Sequence, residues 1–210
     1  MEERNQHNAP NLGDMERRAF NTIFTRAGEG TGRTVEGYAA VFNSTTRIGG
    51  GWGYDEVIEA GAFDDAISVS DCRALFNHDP NHLLARQSSG TLQLSLDTKG
   101  LKYKFEMPES RADLLEMMER GDLKESSFAF TVKEQEWLEE KDADGDWKYT
   151  RIIKKVEMLY DVSPVTYPAY ADTSVAKRSL DNWKETHKPE TPTPPAPTGH
   201  NPDALAILFG

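Results

Sequence analysis

Apolar residues alternate with polar ones over two neighbouring segments in the middle of the chain, and this period of two constrains the fold more than any other feature. Leucine occupies every second position in 92–96, and Leu, Tyr, Phe or Met does so in 101–107. Successive side chains of a strand point to opposite faces, so both segments are predicted to be half-buried strands. The intervening 97–100 segment predicts a tight turn in which Gly100 adopts a positive φ. Together they predict a β-hairpin.

Other segments indicate further strands. The stretches 20–26 and 33–42 are rich in Phe, Val, Thr and Tyr, and 125–138 and 147–165 form a long pair around 142–146. Aspartates at 142, 144 and 146 resemble the start of a calcium-binding loop. Trp147 and Ile153 stand where such a loop requires Gly and Glu, so the segment predicts a plain turn.

Two helices interrupt this β pattern. A capping box with Asp in place of Glu at 110–113 opens the first helix, and Gly121 closes it. A second, short helix is predicted after Gly61. Many strands with few helices predict an α+β domain, built on a small, mostly antiparallel β-barrel or a strongly curved sheet flanked by those helices.

Composition changes at both ends of the chain and predicts its domain limits. Residues 1–16 are polar and predict a disordered tail, and 17–186 carry the patterned, folding segment. Residues 187–202 form a Pro-rich linker, and 203–210 form a short apolar tip. The tip is typical of either a frayed terminus or a docking peptide.

Charge and cysteine content exclude several classes of function. The net charge of −11 argues against direct binding to nucleic acid or to anionic membranes. The single cysteine, Cys72, excludes an internal disulfide and suits a reducing cytoplasm. Residues 1–16 lack the apolar core of a signal peptide, and no run of about 18 apolar residues predicts a transmembrane helix. No cofactor is predicted.

Three segments contain residue types suited to nucleophilic catalysis. His78 follows an apolar strand and precedes Pro80, which is expected to stop any regular element there. Ser127 shares a strand face with Ala129 and Thr131, opposite the face of Phe128 and Phe130. If the aromatic face packs into the core, Ser127 points outward beside small residues that leave room for a substrate.

The third segment contains two acids that could orient a histidine. Asp161 and Glu157 fall on one face of the strand that ends near Val165. Either carboxylate could fix the imidazole tautomer and stabilise the imidazolium. Taken singly, each of these residues is also typical of a solvent-facing side chain.

Taken together, the segments resemble the prohead proteases of tailed bacteriophages. The resemblance extends over about residues 17–178 and is carried by the following segments: Gly37-Tyr-Ala-Ala-Val-Phe-Asn43, Glu59-Ala-Gly-Ala-Phe63, Asn77-His-Asp79, Gly121-Asp-Leu with Ser-Phe-Ala-Phe130, and Asp161-Val-Ser-Pro-Val-Thr-Tyr-Pro-Ala-Tyr170. That family is related to the herpesvirus assemblins, which carry a Ser-His-His triad on a small barrel wrapped by helices. The resemblance therefore implies an assemblin-like fold.

The resemblance also implies a function and its residues. Ser127 would be the nucleophile, His78 the general base and Asp161 the third member of a Ser-His-Asp triad in a serine endopeptidase. The substrates would be the scaffolding segment of the major capsid protein and the enzyme itself, cleaved inside the assembling prohead in the host cytoplasm. Dimerisation is implied as well. Two departures stand out: Ala129 replaces the usual Gly, and 162–170 lacks the arginines that support the assemblin oxyanion hole.

Two rival functions follow from the residues. His78 and His82 are four residues apart, a spacing used by metal-dependent hydrolases, but Pro80 disrupts the helix that would align the rings. The other rival is a non-enzymatic, β-rich prohead scaffold or binding module.

Overall fold

The computed structural model describes residues 14–21, 25–26, 32–51, 53–167 and 173–187. Most of the predicted N-terminal tail, nearly all of the Pro-rich linker and the whole apolar tip lie outside the described residues. Within them, strands predominate and helices are few.

The larger sheet carries the residues of interest. Its main path runs in the order β1 (Glu16–Asn21), β10 (Glu125–Lys141), β11 (Trp147–Val165), β5 (Tyr54–Ile58) and β4 (Thr46–Ile48). A branch adds β6 (Arg73–Phe76) beside β11, and β7 (Asp79–Arg86) beside β6. Strand β11 runs parallel to both β5 and β6, and the other pairings are antiparallel.

The smaller sheet contains the predicted hairpin. Its order is β2 (Thr25–Arg26), β3 (Thr34–Val41), β9 (Gly100–Glu106) and β8 (Leu92–Leu96), all antiparallel. The β8–β9 hairpin is therefore confirmed. The reason given for Gly100 was wrong, since its φ is not positive. A Cβ at Gly100 would lie 2.0 Å from the carbonyl oxygen of Ala40, so the close approach of β3 requires glycine there.

The long pair β10–β11 is confirmed, and so is its plain turn. Asp142 Oδ1 accepts hydrogen bonds from the backbone N–H groups of Asp144 and Asp146, at 3.0 and 2.9 Å, and Gly145 has a φ of 87°. The stretch 20–26, predicted as one strand, is divided between β1 and β2, which belong to different sheets. Its residue types favour strands but do not specify a partner.

A main core draws on both sheets and on the short helix α1 (Ala66–Val69). Phe63 and Phe128 meet edge to face, with ring centroids 5.7 Å apart. The helix α2 (Ala112–Arg120) buries Leu114 and ends at Gly121, whose φ of 83° confirms the predicted C-terminal glycine. The predicted capping box is wrong, because the helix follows a 3-10 turn over Glu109–Arg111 and its N-cap, Arg111, makes no side-chain capping bond.

A second core covers the far end of the β10–β11 pair. The helix α3 (Thr173–Thr186) packs Ala176 and Leu180 against Tyr54 and Trp137. Trp183 stacks on Trp137, with ring centroids 5.9 Å apart. This aromatic packing fixes the long hairpin at the end remote from Ser127.

The predicted fold class is wrong in two respects. The protein is mostly β rather than α+β, and within the described residues neither sheet closes into the assemblin-like barrel, or the single curved sheet, that was expected. The larger sheet is also mixed, because β11 has the parallel neighbours β5 and β6. A period of two marks a strand and its buried face, but strand order and closure depend on pairings between distant segments.

Candidate functional site

The register of β10 and β11 places Ser127 and Asp161 on one face of the larger sheet. Ser127 lies opposite Ser163, and Ala129 lies opposite Asp161. Directly opposite residues of an antiparallel pair share a face. The other side of β10 is aromatic, with Phe128 and Phe130 in the main core.

The burial of Ser127 differs from the expectation of an open outward face. Its exposed fraction is 0%, as is that of Ala129. Strand β1 runs beside it, with Ala19 opposite Ser127, and the carbonyl oxygen of Arg18 accepts a hydrogen bond from Ser127 Oγ at 2.9 Å. The hydroxyl is thus buried between β1 and β11 rather than open to solvent.

His78 reaches the same face from the turn between β6 and β7. Phe76 pairs with Asp79, so Asn77 and His78 form a two-residue turn, with φ of 56° and 58°. Positive φ at both central residues is the geometry that closes tight hairpins, and Asn and His tolerate it better than most residues. The expectation that Pro80 stops the regular structure was wrong, because Pro80 lies within β7, an edge strand that tolerates proline.

Asn77 ties this turn to the end of β11. Its backbone N–H donates to the carbonyl oxygen of Pro164 at 3.0 Å, and its Nδ2 donates to Thr166 Oγ1 at 3.1 Å. Its Oδ1 accepts from the Thr166 backbone N–H at 2.8 Å. These three bonds fix the position of the turn against the strand that carries Asp161.

The three predicted residues form one chain of hydrogen bonds. His78 Nδ1 lies 2.6 Å from Asp161 Oδ1, and His78 Nε2 lies 2.7 Å from Ser127 Oγ. The side chains of His78 and Asp161 are 7% and 8% exposed. When His78 Nδ1 carries the proton and donates it in a hydrogen bond to Asp161 Oδ1, Nε2 is free to accept the serine proton, which is the arrangement required to activate a hydroxyl nucleophile.

A fourth side chain at this site, Ser163, was not predicted from the sequence. Ser163 is fully buried, and its Oγ donates to Asp161 Oδ1 at 2.6 Å. Its position two residues after Asp161 on the same strand was a usable signal, because such residues share a face.

A buried cluster of four charges, Glu16, Arg18, Glu56 and Arg151, links β1 to β5 and β11 within the larger sheet. Arg18 contacts Glu56 and Glu16, each at 2.5 Å, and Arg151 contacts Glu16 at 2.7 Å and Glu56 at 3.1 Å. All four side chains are at most 6% exposed. The cluster fixes the strand whose Arg18 carbonyl contacts Ser127.

The pKa values within this cluster reflect its pairing. Burial would raise the pKa of Glu16, but the adjacent guanidinium groups of Arg18 and Arg151 outweigh it and lower the pKa to about 2. Burial also works against the charge of Arg18, and the two carboxylates nonetheless raise the pKa of Arg18 above its usual range. Glu16, Arg18 and Arg151 are therefore charged at neutral pH.

Glu157 and His82 lie apart from this chain of hydrogen bonds. Glu157 is exposed and lines a separate cavity of about 250 Å³ beside Arg151. His82 is half exposed and accepts a hydrogen bond from Arg111 at 3.2 Å.

Burial raises the pKa of the Cys72 thiol well above its usual range, so the thiol stays protonated. In the described part of the chain, no three or more His, Cys, Asp or Glu side chains are grouped to hold a metal ion.

Comparison with known proteins decides the family. The model of the caudovirus prohead serine protease family matches residues 21–186. The chain belongs to this family. The prohead protease of Enterobacteria phage HK97 is 27% identical over 174 residues, which covers 74% of this chain and 69% of the relative. The predicted resemblance is thereby confirmed. No solved structure matches the chain.

Membership of the prohead serine protease family makes the protein a protease of phage capsid maturation. Among the described residues, no helix has the length and apolar character needed to span a membrane.

Proposed function

We propose that this prohead protease is a serine endopeptidase in which Ser127 is the nucleophile, His78 the general base and Asp161 the group that orients the base. The observation that carries the proposal is the chain of two hydrogen bonds, 2.6 and 2.7 Å long, that joins residues separated by 83 and 49 positions in the sequence. Three chemically suited side chains from β10, β11 and the β6–β7 turn meet at one point on one face of the sheet.

The reaction is acyl transfer. His78 Nε2 takes the Ser127 proton as Oγ bonds to the peptide carbonyl carbon, and the imidazolium then protonates the leaving amine as the C–N bond breaks. Water deprotonated by His78 hydrolyses the resulting ester and restores the serine. Asp161 keeps its negative charge and stabilises the imidazolium in both steps.

The substrates proposed are the scaffolding segment of the major capsid protein and the protease itself, and the reaction takes place inside the assembling prohead in the host cytoplasm. Membership of the family supports action on prohead proteins. Enclosure of enzyme and substrate in one shell raises their effective concentration. The polar segments 1–16 and 188–202 are the expected sites of self-cleavage, since extended polar chain fits a protease cleft.

The deciding experiment compares Ser127→Ala with Ser126→Ala. Both serines are fully buried neighbours on β10, but Ser126 lies on the other face of the strand. Each variant is co-expressed with the capsid protein and its scaffolding segment, and the intact masses of both proteins are measured. We expect cleavage to stop in Ser127→Ala and to persist in Ser126→Ala. Cleavage that persists in a folded Ser127→Ala protein would refute the assignment.

A non-enzymatic scaffold is the alternative, and an active-site probe distinguishes it. A serine-reactive phosphonate should label the wild-type protein at Ser127 and leave Ser127→Ala unlabelled. A metal chelator should leave cleavage unchanged, whereas inhibition by the chelator would favour metal-dependent hydrolysis.

A further inference from the structure

Ser163 occupies the centre of the proposed site without a role in the mechanism above. It lies opposite Ser127 in the register of β10 and β11, and it follows Asp161 by two residues on the same strand face. Its exposed fraction is 0%. A hydroxyl in such a place needs a hydrogen-bond partner, because burying an unpaired polar group is costly.

The partner of Ser163 is the carboxylate that orients His78. Ser163 Oγ lies 2.6 Å from Asp161 Oδ1, and the same oxygen lies 2.6 Å from His78 Nδ1. Two donors from different directions therefore converge on one carboxylate oxygen. Such a pair restricts rotation of the carboxylate about its Cβ–Cγ bond and holds Oδ1 toward the imidazole.

We propose that Ser163 is a positioning residue for the protease reaction, which fixes Asp161 and moderates its basicity by donating its hydroxyl proton to Oδ1. The proposal rests on the proposed function, since it assigns Asp161 the role given there. Ser163 makes no contact with the reacting carbonyl in this scheme and acts through Asp161.

Loss of the Ser163 hydroxyl should have two effects. A carboxylate that is free to rotate holds the imidazole less well, and misplacement of a catalytic group lowers the rate of the chemical step. A carboxylate that has lost a hydrogen bond to its charged form is also more basic, so it binds the imidazolium more strongly. The acid limb of the kcat/KM profile, where the base becomes protonated, should therefore move to higher pH.

The charged and titratable groups near this base are few among the described residues. Arg73 of β6 pairs with Asp161, and Arg17 of β1 pairs with Ala129, the residue opposite Asp161 on β10. Arginine keeps its charge over the pH range of the assay. Cys72 stays a neutral thiol because burial raises its pKa. Asp79 follows His78 in the chain, and its pKa is lowered by a hydrogen bond from the Asn81 backbone. These groups keep one charge state across the acid limb, so a movement of that limb in a variant does not come from them.

The test begins with Ser163→Ala in the full chain. We expect kcat/KM for a peptide substrate to fall about 10- to 100-fold, mainly in kcat, and the acid limb to rise by about 0.5–1 pH unit. Ser126→Ala is the matched control, since it removes a neighbouring buried hydroxyl from the opposite face. Its rate and acid limb should stay at the wild-type values.

A second pair of variants separates the hydroxyl from the space it fills. Ser163→Thr and Ser163→Val add equal bulk, but only threonine keeps the donor. Threonine should retain at least about tenfold more activity than valine, with an acid limb near the wild-type position. Circular dichroism and thermal unfolding establish that the compared variants are folded.

Three results would overturn the proposal. These are a wild-type rate and pH profile in Ser163→Ala, equal behaviour of the threonine and valine variants, and activity losses that follow unfolding alone with no movement of the acid limb. Ser127→Ala separates this failure from that of the proposed function. If Ser127→Ala is inactive while Ser163→Ala behaves as wild type, only the role of Ser163 is refuted.

Discussion

The carbonyl oxygen of Arg18 lies 2.9 Å from Ser127 Oγ and gives the serine proton a second acceptor besides His78 Nε2. When the imidazole is neutral, Nε2 can accept the proton, and when it is protonated, Nε2 must donate and Ser127 can donate only to Arg18. The backbone of β1 therefore stabilises the Ser127 hydroxyl when the imidazole is protonated. This contact depends on the position of β1, which the buried charge cluster sets.

Removal of one carboxylate from that cluster should destabilise the protein strongly. In Glu56→Ala, Arg18 and Arg151 remain buried beside Glu16 alone. An uncompensated buried charge costs about 3–5 kcal/mol, so urea denaturation should show a loss of that order. Glu109→Ala is the control, because Glu109 pairs with Arg33 while 82% exposed, and its unfolding midpoint should stay nearly unchanged. Equal stability of the two variants would show that the cluster does not hold β1.

The stability contributed by Glu16 should depend on pH in a defined direction. Its pKa is lowered to about 2 in the folded protein, from an ordinary value of 4.5. A carboxyl with a lowered pKa stabilises the fold fully above its unfolded pKa and loses that contribution as the pH falls through the folded one. The difference in melting temperature between wild type and Glu16→Gln should therefore be largest near pH 6 and shrink between about pH 4.5 and pH 2. A difference that stays constant down to pH 2 would contradict this assignment.

The side chain of Asn77 should be needed for the rate rather than for the turn itself. Asn77→Gly keeps a residue that adopts a φ near 56° but removes both side-chain bonds to Thr166. We expect kcat to fall about tenfold, because the His78 turn is held less firmly. Asn43→Gly replaces another exposed asparagine with a φ of 53° and should leave kcat unchanged. Peptide cleavage assays on the two variants provide the comparison.

Gly100 should tolerate no side chain. In Gly100→Ala, the new Cβ would lie 2.0 Å from the carbonyl oxygen of Ala40, and a backbone atom cannot move aside as a flexible side chain can. The strain should destabilise the protein by about 1–3 kcal/mol or more, measured by thermal unfolding. Gly50→Ala places its Cβ in open space and should leave the melting temperature within about 1–2 °C of the wild type. An unchanged melting temperature in Gly100→Ala would show that β3 and β9 are less closely packed than in this structure.

The sequence predicted local features well, for reasons visible in individual residues. Alternation over 92–107 identified both strands of the β8–β9 hairpin, and the same pattern separated Ser127 from the aromatic face of Phe128 and Phe130. Gly121 ended the helix α2 as its lack of a side chain suggested. These features depend on neighbours within a few positions of the chain. The family was recognisable too, because short segments kept their order and spacing.

Several other features were missed or predicted wrongly. The segment 110–113 forms part of a 3-10 turn and a helix start instead of a capping box, and Pro80 lies inside a strand. The predicted barrel is a pair of sheets that do not close within the described residues. The contact of Arg18 could not be read from the sequence, since it acts through a backbone carbonyl, whereas the position of Ser163 two residues after Asp161 was a signal that was overlooked. The open sheets and the Arg18 contact depend on which strand lies beside which, and neighbouring residues in the chain do not specify that.

The amino-acid sequence by itself determined where several of the strands lie, which faces they bury and which chemical groups are present, because these follow from side-chain size, polarity and local backbone preference. Only the tertiary structure decided that β10, β11 and the β6–β7 turn meet, so that Ser127, His78 and Asp161 lie within hydrogen-bond distance. Such proximity results from pairing between strands far apart in the chain. No local pattern specifies that pairing, since each strand edge offers the same backbone donors and acceptors.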